Sequence, residues 1–251
     1  MTDRVVLELT GADRVKFLDG LITNDVAKAK DGIIYAALLT PQGKYLFDFF
    51  VIGRPDGLWI DVAAPQAPAL AQRLNMYRLR ADVQIAQTDI VVSRGVGPMP
   101  KGAFADPRHP EMGWRHYGET DINEDIDWIA RRIALGVPAA GQELTPDSYI
   151  LEMGFERLNG VDFRKGCFVG QEIVARMKHK TVLKKGLAQV TVTGDVAPGT
   201  AVTADNRPVG TLHTHKDGLG RAYLRFDRAM GEMQAGTATV RRIEEERSDW
   251  S

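Results

Sequence analysis

The sequence predicts an α+β region followed by a small all-β barrel or sandwich. The first 92 residues show strand-like and helix-like patterns in the order β-α-β-β-β-α-β, which is typical of an α+β domain. From residue 186 onward, apolar and polar residues alternate between frequent glycines and prolines, as in a compact β structure. A hydrophobic content of 44% and a charged content of 26% argue against disorder and coiled coil.

The first region is divided by clear turn and helix signals. Thr40-Pro41-Gln42-Gly43-Lys44 has the composition of a hairpin turn, because proline fixes φ and glycine tolerates positive φ. The predicted elements in order are strand Val5–Leu9, a helix ending before Thr23, strands Ile33–Leu39, Tyr45–Ile52 and Leu58–Val62, helix Ala67–Tyr77, and strands Ala81–Ile85 and Asp89–Val92.

The middle of the chain predicts one helix after an irregular stretch. Asp121 and Glu124 have the spacing of a capping box, and the apolar residues from Ile126 to Ile133 then recur at helical spacing. Gly136 and Pro138 end this helix. We therefore expect three regions: an N-terminal α+β domain over 1–92, a second α+β region over 93–185, and a C-terminal barrel over 186–251. The charged tail, residues 244–249, is expected to fray.

Composition also restricts the cellular setting. The formal net charge is −1, so attraction to nucleic acid would have to come from a local patch. The one cysteine, Cys167, excludes an intrachain disulfide, and the N-terminus lacks the basic-then-apolar pattern of a secretory signal. No apolar run approaches the ~20 residues of a membrane-spanning helix. We expect a soluble protein of a reducing compartment, without a membrane partner.

The segment around Cys167 has the composition of a reactive loop. Gly166 and Gly170 flank the cysteine and permit sharp turns. Basic residues surround it, and positive charge favours the reactive thiolate. The alternative is a buried, inert cysteine, which is the more common fate of a single cysteine. The basic residues are Arg164, Lys165, Arg176, Lys178, Lys180, Lys184 and Lys185.

The basic residues themselves leave several interpretations open. A solvated surface run is the most common one. Functional interpretations are contact with an RNA backbone, with an acidic partner protein, or with the glutamate tail of a folate, since clustering indicates an anion but not which one. His213 and His215 would share a strand face, but no third ligand is adjacent, so we predict no metal site.

The motif containing Cys167 resembles the signature of a known family. Lys165-Gly166-Cys167-Phe168-Val169-Gly170-Gln171-Glu172, followed by Ile173-Val174-Ala175-Arg176, is similar to the K-G-C-[FY]-x-G-Q-E motif of the YgfZ family of folate-binding proteins. Eight consecutive positions make this resemblance specific. Further matching segments are Phe17–Asp25, Thr40–Lys44, Tyr77–Ala81, Gly136–Pro138 and Gly141–Leu144, so the resemblance spans nearly the whole chain.

The resemblance implies a fold and a function. The expected fold is the aminomethyltransferase-like, folate-binding α+β fold with a small C-terminal β-barrel. The implied cofactor is tetrahydrofolate or a derivative. The implied role is that of an accessory protein for assembly or repair of iron–sulfur (4Fe-4S) proteins, including radical enzymes that modify tRNA. The implied partners are iron–sulfur client or assembly proteins, and the location is a bacterial cytoplasm or a mitochondrial matrix.

Specific residues take roles from the same resemblance. Cys167 is the functional thiol, and the rest of its motif comprises Lys165, Gly166, Phe168, Gly170, Gln171, Glu172 and Arg176. Trp128 falls at the place of a family tryptophan that contacts folate, although core packing is an equal alternative. Arg108, in Asp106-Pro107-Arg108, corresponds to a contact for the folate carboxylate, with a simple Asp-Pro turn as the alternative.

The aminomethyltransferases themselves are a competing interpretation. Their catalytic aspartate would fall in the Gly43–Phe47 stretch, where only Asp48 is near and one residue out of register, and their folate-binding glutamate would fall at Ala134. The family's other folate tryptophan would lie near Arg4, and this chain has none there. We therefore favour a folate-binding accessory protein and keep two alternatives, a folate-dependent one-carbon transferase and an RNA-binding protein that uses residues 176–185.

A single cysteine limits the iron–sulfur chemistry. A cubane cluster normally takes four thiolate ligands, so Cys167 cannot hold one unaided. It could supply one ligand in a shared complex, form a mixed disulfide, or attack a folate-derived one-carbon unit.

Overall fold

A computed structural model describes residues 3–30, 32–180 and 182–243. The chain forms two compact units that are discontinuous in sequence. Unit 1 consists of Met1–Ile126 and Phe155–Arg176, and unit 2 of Asp127–Gly154 and Met177–Ser251. The division into three regions that follow one another along the chain remains a prediction, because each compact unit combines two segments that are distant in sequence. The tail expected to fray lies outside the described residues.

Unit 1 is built on a five-stranded antiparallel sheet in the order β2-β3-β4-β1-β5. The predicted succession of strands and helices is confirmed, with small differences at the ends. The elements are β1 (Arg4–Thr10), α1 (Arg14–Asp19), a 3₁₀ turn (Val26–Ala29), β2 (Ile33–Leu39), β3 (Tyr45–Gly53), β4 (Leu58–Ala63), α2 (Ala67–Arg78) and β5 (Gln84–Gln87).

The two faces of this sheet differ in chemistry. One face is apolar and packs against α1 and α2 through buried residues that include Leu18, Leu70 and Leu74. The opposite face carries charged and aromatic side chains in a row across neighbouring strands, because Tyr35 pairs with Phe50 and Phe50 with Asp61. Alternation along each strand sends these residues to the side away from the helices.

A three-stranded sheet in the order β6-β8-β7 supplies groups for that polar face. Its strands are β6 (Val91–Gly95), β7 (Phe104–Ala105) and β8 (Trp114–Gly118). The capping box expected at Asp121 and Glu124 is absent. The carboxylate of Glu124 instead accepts hydrogen bonds from the backbone N–H groups of Val96 and Gly97, at 2.8 and 3.1 Å.

Unit 2 contains helix α3 (Trp128–Ala134) and a closed barrel. The N-cap of α3 is Asp127, whose carboxylate accepts from the N–H of Ala130 at 3.0 Å. The barrel decides between the two β structures expected from sequence, because its first and last strands pair and leave no open edge. The strands are β9 (Lys185–Thr193), β10 (Ala201–Ala204), β11 (Arg207–Lys216), β12 (Leu219–Arg225), β13 (Glu232–Ala235) and β14 (Ala238–Arg242), in the order β10-β11-β12-β9-β14-β13.

One further helix, α4 (Gln171–Lys180), belongs to unit 1 up to Arg176 and to unit 2 from Met177. It begins directly after the Cys167 segment. Among the described residues, no helix is long and apolar enough to cross a membrane.

Candidate functional site

The loop that carries Cys167 is anchored on one side by a buried lysine. The side chain of Lys165 is only 1% exposed, and its ammonium donates to the backbone carbonyls of Asp19 and Ile22, the latter at 2.9 Å. These carbonyls lie at the C-terminal end of α1, where cations are favourable. Burial lowers the pKa of Lys165 below its ordinary value, against the opposing effect of the Asp19 carboxylate 3.4 Å away. Lys165 is therefore a structural anchor.

On the other side, the loop is held by contact between two glycines. Gly170 has φ = +85°, and a methyl group placed on it would lie 2.6 Å from the carbonyl oxygen of Thr40 and 3.0 Å from Cα of Gly43. Gly43 has φ = +74° and packs equally closely against Ile173 of α4. The β2–β3 turn and the loop can approach this closely only because both positions lack a side chain. Gly166, in contrast, has open space around it.

Between these anchors, the side chain of Cys167 is exposed to solvent. The alternative of a buried cysteine is therefore wrong. Its neighbour Phe168 is only 8% exposed, and the ring lies 5.4 Å from the ammonium of Lys165. The loop thus fixes both flanks of Cys167 while presenting the thiol outward.

Lys165 and Arg176 are two basic residues near Cys167 that already have partners within the protein. Lys165 turns inward, and the guanidinium of Arg176 lies 3.1 Å from the carboxylate of Glu172 one turn earlier on α4. Both members of that pair are exposed, so the pair adds little stability. Gln171 begins α4, with its N–H bonded to the carbonyl of Phe168 at 3.2 Å. Lys165 and the backbone N–H of Gln171 therefore hold the loop and the start of the helix.

A second matching segment, Phe17–Asp25, binds Lys165 through its backbone and also holds the chain that precedes the loop. The hydroxyl of Thr23 donates to the carbonyl of Gly160 at 2.6 Å and accepts from the N–H of Ala37 at 2.8 Å. The amide of Asn24 donates to the carbonyls of Tyr35 and Asn159, both at 2.8 Å. Both side chains are buried. Three segments that are far apart in sequence, 17–25, 40–44 and 165–172, are therefore joined in unit 1.

The polar face of the sheet in unit 1 holds a buried network of ion pairs. Asp61 is fully buried and accepts from Arg4 at 2.6 Å, from Arg115 at 2.7 Å and from the Tyr117 hydroxyl at 2.8 Å. Burial alone would raise the pKa of Asp61, but the guanidinium groups of Arg4 and Arg115 outweigh it and hold that pKa below its ordinary value. The guanidinium of Arg115 also covers the ring of Phe50, 3.7 Å from its centroid.

Arg108, the expected contact for a folate carboxylate, lies in this network. Its Nε and Nη2 donate to the two carboxylate oxygens of Asp106, at 2.9 and 2.7 Å, and its guanidinium lies 4.8 Å from the centroid of the Phe50 ring. The backbone N–H of Arg108 also donates to Asp106, so the Asp-Pro turn is formed as well. A ligand carboxylate would therefore meet an arginine that already has a bidentate partner.

Asp48 lies on the same polar face and its carboxylate is occupied. One oxygen accepts from the hydroxyl of Tyr35 at 3.0 Å and the other from the hydroxyl of Tyr45 at 2.6 Å. Burial and the nearby Asp48 carboxylate raise the pKa of both tyrosines, so both remain donors at neutral pH. Asp48 thus serves here as an acceptor for two fixed hydroxyl groups.

Unit 2 contains Trp128 and a separate buried pair. Trp128 is the first residue of α3 and is partly exposed, so it is not one of the buried core residues. Four residues later, Arg132 donates to the carboxylate of Glu143 at 2.9 Å, and Glu143 is 1% exposed. Glu143 also accepts from the N–H of Ala139 at 2.9 Å. The Gly141–Leu144 segment therefore fixes the C-terminal part of α3.

The two histidines of β11 do not form a metal site with other described side chains. His215 has a ring nitrogen 2.7 Å from the carbonyl of Val196, and burial lowers the pKa of His213 below its ordinary value. No group of three potential ligands occurs among the residues that the structure describes.

The structure brings together some of the expected site residues and not others. Cys167, its motif and Arg108 lie in unit 1, whereas Trp128 lies in unit 2. The ion pairs of Asp61 and Arg115 were not expected from sequence. A charged residue in the otherwise apolar strand Leu58–Val62 was the available signal, because a buried charge requires a partner.

The fold defines the class of protein. A crystal structure of the glycine cleavage system aminomethyltransferase T from Bartonella henselae superimposes with a TM-score of 0.78, covering 97% of this chain and 83% of that chain at 12% identity. A family model described as the CAF17 C-terminal β-barrel domain matches residues 184–250. The protein therefore has an aminomethyltransferase-like fold with a C-terminal β-barrel, as the sequence predicts.

Sequence comparison identifies homologues within that class. The chain is 29% identical to the mitochondrial iron–sulfur cluster assembly factor IBA57 homolog of Mycosarcoma maydis, over 84% of this chain and 62% of that protein. It is 30% identical to the Neurospora crassa homolog, over 74% and 51%, and 28% identical to human mitochondrial IBA57, over 92% and 78%. The chain thus spans about half to three-quarters of the length of these relatives.

Proposed function

We propose that this protein binds tetrahydrofolate or a derivative and acts as a YgfZ-type accessory factor in the assembly or repair of 4Fe-4S proteins, with Cys167 as its functional thiol. The observation that carries the proposal is the exposed thiol on a loop fixed by Lys165 and Gly170. Support comes from homologues named as iron–sulfur cluster assembly factors.

The number of cysteines determines how Cys167 would act. One thiolate supplies at most one of the four ligands of a cubane cluster, so a cluster would be shared with a client or assembly protein. An exposed thiol on a fixed loop suits this role, because the sulfur can reach an external group without unfolding the protein. The proposed clients include radical enzymes that modify tRNA. The proposed compartment is a bacterial cytoplasm or a mitochondrial matrix, and the relatives are named as mitochondrial.

Asp48 supports an accessory role over methylene transfer. Both of its carboxylate oxygens accept from tyrosine hydroxyls, and both tyrosines have raised pKa values. A base for a transfer reaction needs a carboxylate oxygen directed at the substrate, whereas each Asp48 oxygen is already directed at a fixed tyrosine hydroxyl. Turnover with an aminomethyl donor, lost in Asp48→Asn, would contradict this choice.

The thiol is tested in cells that lack their own factor. Wild type should restore the activity of a 4Fe-4S enzyme, and Cys167→Ser should restore much less while keeping the same thermal midpoint in vitro. The matched control is Arg164→Gln, an exposed residue of the same loop, which should complement fully. Full complementation by Cys167→Ser would remove the thiol from the proposal.

Folate binding is tested separately by calorimetry with tetrahydrofolate. Loss of the Trp128 ring should weaken binding about two- to tenfold in Trp128→Ala, since stacking on an aromatic ring contributes about 0.5–1.5 kcal/mol. The control is Ile129→Ala, because Ile129 is 50% exposed on the same helix. Absence of heat with wild type would remove the folate part and leave the thiol part standing.

A further inference from the structure

Unit 1 has an open depression on its apolar-helix side, and none of its described lining residues belongs to the Cys167 loop. Its walls come from the start of α1, the 3₁₀ turn Val26–Ala29 and the hairpin between β3 and β4, and its volume is about 550 Å³. Such a volume is typical of small-molecule sites. The lining residues are Arg14, Val15, Val26, Ala27, Lys30, Gly53, Arg54, Pro55, Gly57 and Leu58.

The shape of this depression depends on Gly53. A methyl group on Gly53 would lie 2.4 Å from the carbonyl oxygen of Ala29 and 2.9 Å from Cα of Lys30, so glycine lets the 3₁₀ turn lie directly on the end of β3. The hairpin is closed by hydrogen bonds between Arg54 and Gly57, at 3.0 and 3.4 Å. The walls are thus backbone segments fixed against one another, and the depression is formed before any ligand arrives.

Three cations and no carboxylate occur among the described residues that line the depression. They are Arg14, Lys30 and Arg54. None of them forms an ion pair with a residue that the structure describes, and the guanidinium of Arg54 lies 4.2 Å from the centroid of the Trp59 ring. Arg14 is held by hydrogen bonds from Nη1 to the Gly11 carbonyl at 2.9 Å and from Nη2 to the Pro55 carbonyl at 3.5 Å. Its Nε is buried and has no hydrogen-bond partner among the described atoms. A buried donor without a partner is costly.

The space between the cations is apolar. Val15 is 44% exposed on the helix that forms the wall, while Val26 and Leu58 form a buried base. A small inorganic anion would leave this apolar surface in water. An extended polyanion would need a stripe of cations along the surface, whereas these three surround one concave space. The complementary ligand is a compact molecule with an apolar body and an anionic group.

We propose that this depression is a binding site for a small amphipathic organic anion, with the carboxylate, sulfonate or phosphate group held by Arg14, Lys30 and Arg54 and the apolar body resting on Val15 and Leu58. The site is distinct from the residues of the proposed function, since none of its lining residues belongs to the Cys167 loop and Trp128 lies in unit 2. Failure of either proposal leaves the other untouched.

The test uses 8-anilinonaphthalene-1-sulfonate as an anionic probe and neutral N-phenyl-1-naphthylamine as its uncharged analogue. Fluorescence titration of the folded protein should give saturable one-to-one binding of the sulfonate that weakens as salt rises, with much weaker binding of the neutral analogue. Arg54→Gln and Lys30→Gln should each raise the dissociation constant at least about fivefold. Arg73→Gln, a cation of α2 outside the depression, is the matched control.

Amide chemical shifts locate the probe. Addition of the sulfonate should shift the backbone signals of Val15, Ala27 and Leu58 in wild type and shift them less in Arg54→Gln. Lys30 and Arg54 are exposed, so both variants should fold, and circular dichroism checks this. Equal binding of the neutral analogue, unchanged affinity in both variants, or shifts confined to other residues would each overturn the proposal.

Discussion

The two glycines that flank Cys167 should respond very differently to the same substitution. Gly170 has φ = +85° and would place a methyl group 2.6 Å from the Thr40 carbonyl oxygen, 3.0 Å from Cα of Gly43 and 3.2 Å from Cβ of Leu39. Gly166 has no heavy atom within 4 Å of that position and no positive φ. Gly170→Ala and Gly166→Ala are therefore a matched pair within one loop.

The size of the difference follows from these contacts. Holding alanine in the left-handed region costs about 1–2 kcal/mol. Relieving the contact with a backbone oxygen costs about 1–3 kcal/mol, as for other overpacked sites. Gly170→Ala should thus lower the free energy of unfolding by about 2–5 kcal/mol. Gly166→Ala should change it by less than about 1 kcal/mol, with a stabilising sign because alanine restricts the unfolded chain.

The assay is urea denaturation followed by circular dichroism. We expect a lower urea midpoint in Gly170→Ala at an unchanged slope, since the surface exposed on unfolding stays the same. The chain has one thiol, so titration with a disulfide reagent under native conditions should give one thiol per chain in every variant. A Gly166→Ala variant that is destabilised as much as Gly170→Ala would refute the assignment of Gly170 as the position that requires glycine.

Three further predictions concern other groups in unit 1. Lys165→Met should lower the free energy of unfolding by about 1.5–3 kcal/mol, because two carbonyls at the end of α1 lose a charged donor; urea denaturation measures this. The pKa of Asp61 is lowered in the folded protein, so below about pH 4 the unfolded chain binds more protons than the folded one, and the stabilisation from Asp61 is complete above that pH and lost as pH falls. Asp61→Asn should lower the free energy of unfolding by about 3–5 kcal/mol at pH 7, and the variant should lose less stability than wild type between about pH 4 and pH 2. Leu79 is 87% exposed with φ = +47°, so Leu79→Gly should raise the thermal midpoint, with a net gain of about 1 kcal/mol after the entropy of glycine is counted.

Each of these predictions has its own control. Arg164→Gln should leave the free energy of unfolding unchanged. If it lowered this free energy as much as Lys165→Met does, the effect of Lys165→Met would come from the loss of a positive charge in the loop and not from the lost hydrogen bonds. If the free energy of unfolding of Asp61→Asn fell with pH in parallel with that of wild type, Asp61 would be excluded as a source of the pH dependence. Met76→Gly, in the last turn of α2, should cost about 0.8–1 kcal/mol. A loss in Leu79→Gly of similar size would mean that the turn at Leu79 is not strained.

Local sequence signals determined most of unit 1. Period-two alternation and turn composition located the strands of the five-stranded sheet, because each strand has one apolar face against the helices. The same signals failed at Asp121 and Glu124, whose capping-box spacing is correct. There, the backbone N–H groups of Val96 and Gly97 compete for the Glu124 carboxylate, and the helix begins later, after Asp127.

The sequence by itself determined the fold class and indicated the Cys167 segment as the candidate site, since strand periodicity and an eight-residue motif are local properties of the chain. Only the tertiary structure decided what the motif residues do. Lys165 was expected among the cations around the thiol, and it is buried against the end of α1. Gly170 requires glycine and Gly166 does not, because only Gly170 meets the β2–β3 turn. These roles depend on contacts between residues more than 100 positions apart, which local patterns do not encode.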